Sequence, residues 1–282
     1  MATENRNPRS IGLDHMSTKE IIRLMNEEEQ IVLRALSIAE DKIAEAADRV
    51  STCYVTGGRI IYLGSGTSGR IATMDAAEMQ PTFGIESGRF ISLVSGGGRA
   101  VTEAVEDAED NVSASIEQLN EIHAGPTDVV IGISASGATP FVLSGIRHAQ
   151  QKGIWTCAIA NNPQSPLLEI ADLSILLDTG PEVLTGSTRL KAGTAQKLAL
   201  NRISTAAMVK AGKVVENLMV DVKAKNAKLK DRCIRIIREL STLTNEEART
   251  LLEQNNWNIR AVLKLLDTSN SLLPEFVSSS KN

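Results

Sequence analysis

The chain has 282 residues and a net charge of −4, with 42% hydrophobic, 23% charged and only 3% aromatic residues. These proportions are typical of a globular protein with an aliphatic core. A slightly acidic chain lacks the clustered positive charge that a broad nucleic-acid or anionic-membrane surface requires. The three cysteines have no CxxC spacing, so we expect neither a disulfide scaffold nor a zinc site.

No segment of the sequence is typical of a membrane span or a secretory signal. The longest stretch without charged residues, 129–146, is interrupted by serine, threonine, proline and glycine, which argues against a membrane span. The first ten residues contain no apolar run of the kind that secretory signals carry. We therefore expect a cytoplasmic protein with no membrane partner and no nucleic-acid partner.

The first predicted element in chain order is helical. Ser17 and Glu20 have the spacing of a capping box, in which each side chain bonds the backbone of the other residue. Apolar residues then recur at helical spacing as far as Val50. The sequence therefore predicts an N-terminal helical segment over residues 1–50.

Short apolar runs alternate with helical stretches in the next part of the chain, residues 51–222. The predicted strands are 59–64, 90–94, 128–133, 155–160 and 173–177. The predicted helices between and after them include 101–119, 140–151 and 187–211. Strands that alternate with helices form parallel sheets, and strands that are apolar throughout are covered on both faces. The predicted fold class is α/β, a doubly wound parallel five-stranded sheet.

The last part of the chain, residues 223–282, is predicted to be a small helical bundle. Residues 213–238 are charged and read as helical, and Thr244 with Glu247 repeats the capping-box pattern. A further helix over 259–266 presents leucine, isoleucine and valine at helical spacing.

Two loops rich in glycine and hydroxyl groups carry the first chemical signal. The loop Gly64–Gly69 follows a predicted strand and contains Ser65, Gly66, Thr67 and Ser68. It matches G-x-G-x-x-G, but the next strand ends without the acidic residue of a dinucleotide site, and the GK[ST] ending of a Walker A loop is missing. A hydroxyl-rich helix start favours a phosphate group. The alternative is a plain turn between a strand and a helix.

The second loop has the same composition and the same position after a strand. It supplies Ser134, Ser136 and Thr139, and Pro140 suits the first turn of the next helix. Ligands of open parallel sheets bind beyond the carboxyl ends of the strands, so the two loops can converge on one phosphate monoester. We expect no metal and no cofactor at this site.

Carboxylates near these loops are candidates for an acid and a base. Glu78 lies in the otherwise uncharged stretch 76–84, soon after the first loop. Glu106 and Glu109 are three residues apart on the predicted acidic helix, which would place them on one face. Carboxylates held near a phosphate site suit general acid–base catalysis. The alternative for the acidic helix is a solvated surface.

Several stretches together resemble the N-acetylmuramic acid 6-phosphate etherase family, within the sugar isomerase (SIS) domain superfamily. The stretches are Leu63–Arg70, Asp75–Glu78 with Pro81–Gly84, Ala104–Asp110 and Gly180–Lys197. The resemblance extends from about residue 4 to the C-terminal bundle, and the block Thr185–Lys197 is its most specific part.

This resemblance implies an SIS-type sheet, a homodimer, no cofactor and N-acetylmuramic acid 6-phosphate as the substrate. The implied reaction is cleavage of the lactyl ether to N-acetylglucosamine 6-phosphate and D-lactate, in the recycling of cell-wall amino sugars. It proceeds by elimination and water addition with two glutamates as acid and base. The C-terminal bundle resembles a ubiquitin-associated-like module.

The resemblance also assigns roles to individual residues. Glu78 matches the proton donor and Glu109 the second catalytic glutamate. Glu106 and Lys191 match contacts near the sugar, and Lys191 would serve the neighbouring subunit. The hydroxyl residues of the two loops match the phosphate-binding loops.

Two short stretches depart from the family pattern, and three other functions remain as alternatives. Met79 and Gln80 stand where Cys-Pro is common, and Ala138 stands where an arginine would contribute a cation. A sugar-phosphate sensor similar to the glucokinase regulatory protein would have tandem SIS units and no need of both glutamates. A transcription factor would need a basic N-terminal region, and an aldose–ketose isomerase is not supported by the block Thr185–Lys197.

Overall fold

The architecture, seen in a computed structural model, is described for residues 2–105, 107–224 and 226–269. The chain divides into two compact units. The first unit comprises residues 1–77 and 88–211, and the second comprises residues 78–87 and 212–282.

The first unit is built on a five-stranded sheet. Its strands are β1 (Ile60–Gly64), β2 (Phe90–Val94), β3 (Val129–Ser134), β4 (Trp155–Ala160) and β5 (Leu173–Leu176). They lie in the order β2-β1-β3-β4-β5, and every neighbouring pair is parallel. The predicted parallel five-stranded sheet is therefore confirmed. The strand order reverses between β1 and β3, and such a switch point is where open α/β sheets bind ligands.

Helices flank this sheet. They are α1 (Thr18–Ile38), α2 (Glu40–Val55), α3 (Gly66–Phe83), α4 (Arg99–Thr102), α5 (Val112–Glu121), α6 (Pro140–Gln151), α7 (Pro166–Ile170) and α8 (Lys191–Lys210). The last residues of α3 belong to the second unit. Ile61, Leu63 and Val130 belong to one buried cluster with the apolar residues of α5 and α6. Alternate strand residues face the other side of the sheet. There the Tyr62 hydroxyl donates a hydrogen bond to a carboxylate on α3, and a hydroxyl group of α8 donates to the same carboxylate.

The N-terminal helical region is confirmed, but it contains two helices rather than one. The capping box forms as expected, with the Ser17 amide donating to the Glu20 carboxylate over 2.7 Å. The α-helical conformation is interrupted at Ala39, which has φ −88° and ψ 5°. Helices α1 and α2 both pack against α8. Two shorter helices can follow the surface of α8, whereas one straight helix could not.

The predicted acidic helix over 101–119 is wrong as a continuous element. Helix α4 ends at Thr102, a short 3-10 helix covers Ala108–Asp110, and α5 begins only at Val112. Asp107 has a φ of 62°, which a right-handed helix does not contain. The Asn111 side chain accepts hydrogen bonds from the amides of Ser113 and Ala114 and so starts α5.

This break also overturns the expectation that Glu106 and Glu109 share one face of an α-helix. Glu109 lies in the 3-10 turn. Glu106 lies outside the described residues.

The second unit contains the predicted C-terminal helices and a hairpin that the sequence analysis missed. Its elements are β6 (Val214–Val215), β7 (Leu218–Met219), α9 (Ala227–Leu240), α10 (Asn245–Gln254) and α11 (Ile259–Thr268). The Thr244–Glu247 capping box is present. Residues 213–224 and Asn226 are not helical as predicted, because the chain pairs β6 with β7 and α9 starts only after the cap Asn226. Residues 270–282 of the predicted bundle lie outside the described residues.

A buried carboxylate fastens α3 to the sheet and to α8. Asp75 is 4% exposed and accepts hydrogen bonds from the Tyr62 hydroxyl (2.9 Å), the Asn201 amide (2.7 Å) and the Ser204 hydroxyl (3.0 Å). Burial raises the pKa of Asp75, while these hydrogen bonds act in the opposite direction. Asp75, which follows the first hydroxyl loop in sequence, therefore has a structural role in this arrangement.

We expect Asp75→Ala to lower the free energy of unfolding by about 2–4 kcal/mol, because it leaves buried donors without an acceptor. Chemical denaturation at neutral pH measures this loss. Tyr62→Phe removes only one of the three donors and should cost less. Equal stability of Asp75→Ala and the wild-type chain would contradict this role.

Candidate functional site

The first hydroxyl loop depends on a close approach of backbone at the end of β1. A Cβ on Gly64 would lie 2.7 Å from the backbone nitrogen of Gly69, and a Cβ on Gly69 would lie 2.7 Å from the Val94 side chain. Only glycine fits at such contacts. The first turn of α3 consequently packs directly against the ends of β1 and β2.

The hydroxyl groups of this loop are held by neighbouring polar residues. The Ser95 hydroxyl donates to the Ser65 hydroxyl over 2.6 Å. The buried Ser68 hydroxyl donates to the Gln196 side-chain oxygen over 2.8 Å. Gly66 is exposed with a φ of +52°, and Thr67 is half-buried. The loop is therefore fixed on its inner side and open at Gly66.

The second loop folds its hydroxyl groups into one cluster. The Ser134 hydroxyl lies 2.8 Å from the Thr139 hydroxyl and 3.2 Å from the Ser136 hydroxyl. Ser134 also accepts from the Gly137 amide at 3.0 Å, and Ser136 accepts from the Ala138 amide at 3.1 Å. The Thr139 side chain does not cap α6, so it does not occupy the first amides of that helix.

The sheet brings the two loops to adjacent strand ends. Strand β1 pairs with β3 in a register that aligns Gly64 with Ile133. Ser65 and Ser134, which follow these two residues, therefore lie side by side at the edge of the sheet. This position is the switch point of the sheet, and helices α3 and α6 start there. Hydroxyl groups and helix N-termini together can bind one phosphate group.

Sequence reasoning missed four polar residues around the loops. Ser95 follows β2, Asn161 and Asn162 follow β4, and Gln196 lies on α8. The Gln196 amide donates to Asn161 over 2.9 Å, and the Asn162 amide donates to the Ala135 carbonyl over 2.9 Å. The strand-end rule that found the two hydroxyl loops also identifies Ser95 and the asparagine pair.

Lys191 does not point into solvent as a simple sugar contact would. It is 2% exposed, and its ammonium group lies 2.5 Å from the carboxylate of Glu28, which is equally buried. Asn7 and Arg9 also donate to Glu28, over 2.7 and 2.9 Å. Burial alone would raise the pKa of Glu28, but the hydrogen bonds from Lys191 and Asn7 outweigh it, and the pKa lies below its usual value.

A second buried carboxylate occupies the start of α8. Both oxygens of Glu182, which is fully buried, accept from the amides of Lys191 and Ala192 over 3.0 and 2.9 Å. Burial raises the pKa of Glu182, and these two amides partly offset that effect. Glu182 thus caps the N-terminus of α8, although it lies in the loop that precedes this helix in sequence.

A cavity of about 660 Å³ borders the Glu28–Lys191 pair. Its walls also include Arg34, Ile38 and Thr179 and are mostly apolar. None of the hydroxyl residues of the two loops lines it. This cavity is therefore separate from the predicted phosphate site.

The two predicted catalytic glutamates are both exposed and lie in different units. Glu109 lies in the 3-10 helix that packs against α6, the helix after the second loop. Glu78 lies near the end of α3, in the second unit, where it lines a cavity of about 260 Å³. Within a single chain, the Glu78 carboxylate is therefore not shielded from water.

Two classes of site are not found in the described part of the chain. No group of three or more histidine, cysteine, aspartate or glutamate side chains there is arranged to hold a metal ion. Among the same residues, no helix is both long and apolar enough to span a bilayer.

Comparison with known proteins first defines the class. The glucokinase regulatory protein N-terminal SIS domain matches residues 41–150. The phosphoheptose isomerase from Francisella tularensis has a TM-score of 0.53 and 17% identity, covering 68% of this chain and 98% of its own. The phosphoheptose isomerase from Neisseria gonorrhoeae has a TM-score of 0.52 and 18% identity, covering 67% and 97%. These matches show that the sheet and its flanking helices have an SIS-type fold.

Sequence relatives then define the family. The N-acetylmuramic acid 6-phosphate etherase of Salmonella typhi is 45% identical over 93% of this chain and 89% of its own length. The etherase of a Geobacillus species is 47% identical over 94% and 90%. The chain therefore belongs to the N-acetylmuramic acid 6-phosphate etherase family, as the sequence analysis predicted.

We expect Lys191→Met to lower the free energy of unfolding by about 3–5 kcal/mol, because Glu28 would stay buried without its main partner. Denaturant unfolding at neutral pH measures the change. Lys19→Met, at an exposed lysine of α1, is the matched control and should change little. An unaltered stability of Lys191→Met would instead leave Lys191 free for a role in binding.

The lowered pKa of Glu28 predicts the sign of a pH dependence. A carboxylate with a folded pKa below its unfolded value stabilises the fold above that unfolded value and loses this contribution as the pH falls. We expect stability to decline below about pH 4.5, the usual value for glutamate. In Glu28→Gln this part of the decline should disappear, although the variant is less stable at neutral pH. Identical slopes in wild type and variant would contradict the prediction.

Proposed function

We propose that the protein is an N-acetylmuramic acid 6-phosphate etherase, a carbon–oxygen lyase that forms N-acetylglucosamine 6-phosphate and D-lactate. The observation that carries the proposal is the 44–47% identity to etherases along about nine tenths of both chains. The hydroxyl loops at the switch point support a phosphorylated ligand on independent, geometric grounds.

The 6-phosphate would bind between the two loops. Ser65 and Thr67 supply hydroxyl groups from the first loop and Ser68 its backbone amide, and Ser134, Ser136 and Thr139 supply hydroxyl groups from the second. Hydroxyl groups and helix N-termini stabilise a dianion without a metal. Ala138 provides no cation here, so binding would depend on hydrogen bonds more than on charge pairing.

The reaction needs one base and one acid. In the open-chain sugar the C2 proton lies next to the aldehyde, so a carboxylate can remove it. The electron pair then forms the C2–C3 double bond as the C3–O bond breaks, and the departing lactyl oxygen takes a proton from the acid. Water adds to C3 and a proton returns to C2, which completes a net hydrolysis. We assign the acid to Glu78 and the base to Glu109.

The length of α3 supports a dimeric site. Glu78 follows Gly66 by twelve residues of one helix, and about 1.5 Å of rise per residue places them about 18 Å apart along it. The substrate is much shorter between its phosphorus and its lactyl oxygen. We therefore propose a homodimer in which Glu78 acts on a sugar phosphate bound by the loops of the partner.

The cellular setting stays a prediction. An etherase of this kind would act in the recycling of cell-wall amino sugars, and its phosphorylated substrate is consistent with a cytoplasmic location.

A sugar-phosphate sensor without catalytic activity is the second candidate. The match of residues 41–150 to the glucokinase regulatory protein SIS domain favours it. Both candidates would bind a sugar 6-phosphate through the same loops. Only the etherase would release D-lactate.

We expect purified protein to release D-lactate from N-acetylmuramic acid 6-phosphate. Glu78→Gln and Glu109→Gln should each lower kcat by about 10²–10⁴-fold, the usual range for loss of an acid or base. In deuterated water, Glu78→Gln should retain exchange of the C2 proton, because the base is intact, whereas Glu109→Gln should lose it. Nuclear magnetic resonance measures exchange and release together.

Glu117→Gln, at an exposed glutamate of α5, is the matched control and should act like the wild type. Tight binding of the sugar phosphate with no D-lactate release would replace the etherase with the sensor. Exchange lost in Glu78→Gln but retained in Glu109→Gln would reverse the two roles.

A further inference from the structure

The cavity beside Glu78 lies within the second unit, is small, and is lined by both charged and apolar residues. It has a volume of about 260 Å³. Glu78 and Pro81 line it from the end of α3, and the residues around β7 and α9 complete it: Met219, Lys223, Leu229 and Arg232. It therefore combines one carboxylate, two cations and an apolar wall in a space suited to a ligand of a few heavy atoms.

The two cations of this cavity have no charged partner among the described residues. Neither Lys223 nor Arg232 forms an ion pair with any residue that the structure describes, and Glu78 forms none either. Two other cations of the unit, Lys213 and Arg260, are paired, because both contact Asp221. The cavity carries a net positive charge even when Glu78 is ionised, and it has room for a small anion.

We propose that this cavity binds the carboxylate of the lactyl group, with Arg232 as its main ligand and Lys223 as a second cation. This assignment rests on the proposed function and names the residues that recognise the leaving group. The lactyl carboxylate is joined to the ether oxygen through a single carbon atom. An acid that protonates the ether oxygen must lie within hydrogen-bond distance of it, so the carboxylate must lie close to Glu78.

The chemistry of the walls fits this ligand. A guanidinium group can bind both oxygens of a carboxylate at once. Pro81, Met219 and Leu229 offer an apolar surface for the lactyl methyl group. The carboxylate keeps its charge as the C3–O bond breaks and Glu78 donates its proton to the lactyl oxygen. Arg232 consequently binds the leaving group in the substrate and also in the product.

The test compares two substrates that differ only in this carboxylate. One is N-acetylmuramic acid 6-phosphate, and the other is the 3-O-ethyl ether of N-acetylglucosamine 6-phosphate. The measured quantity is the ratio of their kcat/KM values, from D-lactate and ethanol release. We expect Arg232→Gln to reduce the wild-type preference for the lactyl ether by about 10- to 100-fold, the range for one charged hydrogen bond. Lys223→Gln should reduce it less.

Controls separate recognition from folding. Arg232→Lys keeps the charge but not the two-pronged geometry and should restore part of the preference. Arg235→Gln, at an exposed arginine of the same helix, should leave the ratio unchanged. Inhibition by N-acetylglucosamine 6-phosphate, which has no lactyl group, should be the same in every variant. Inhibition by D-lactate should weaken only when Arg232 or Lys223 is replaced.

Two results would overturn the assignment, and they have different consequences for the proposed function. If the wild type releases D-lactate and Arg232→Gln keeps the full preference, the carboxylate site is wrong and the etherase stands. If the wild type releases neither product, the proposed function fails and the assignment fails with it.

Discussion

The close backbone contact where β1 passes into α3 is the constraint on which the proposed phosphate site depends. Gly64 and Gly69 approach so closely that a methyl group on either would overlap its neighbours. This contact lets α3 begin against the sheet, where Ser65 reaches the hydroxyl of Ser95. A bulkier residue would push the helix start away from the strand ends, and the two hydroxyl loops would no longer share one edge.

The sheet and its loops could be predicted because their signals are local. Strands buried on both faces are apolar throughout, and strand ends carry the hydroxyl loops. The interruptions of the predicted acidic helix were harder to predict, because they depend on single residues. Asp107 adopts a left-handed conformation and Asn111 caps a new helix, while an acidic run with helical spacing gives little warning of either.

The burial of charged side chains is the second feature that local sequence patterns do not reveal. Glu28, Glu182 and Lys191 look in sequence like ordinary surface charges, yet each is 2% exposed or less. Their burial becomes visible only when α1, α8 and the loop before α8 meet in space. Within one chain, the Lys191 ammonium group is committed to Glu28. Much of the specific block Thr185–Lys197, and the nearby Glu182, therefore serves to build this region.

The cap on α8 has a consequence for where anions can bind. Helix α8 begins next to the first hydroxyl loop, since Gln196 bonds Ser68, and an open helix start there would attract phosphate. Glu182 fills that position with the protein's own negative charge. The starts of α3 and α6 lack such an internal counter-ion in the described structure. Glu182 therefore disfavours anion binding at the start of α8, so the proposed phosphate site is left to the starts of α3 and α6.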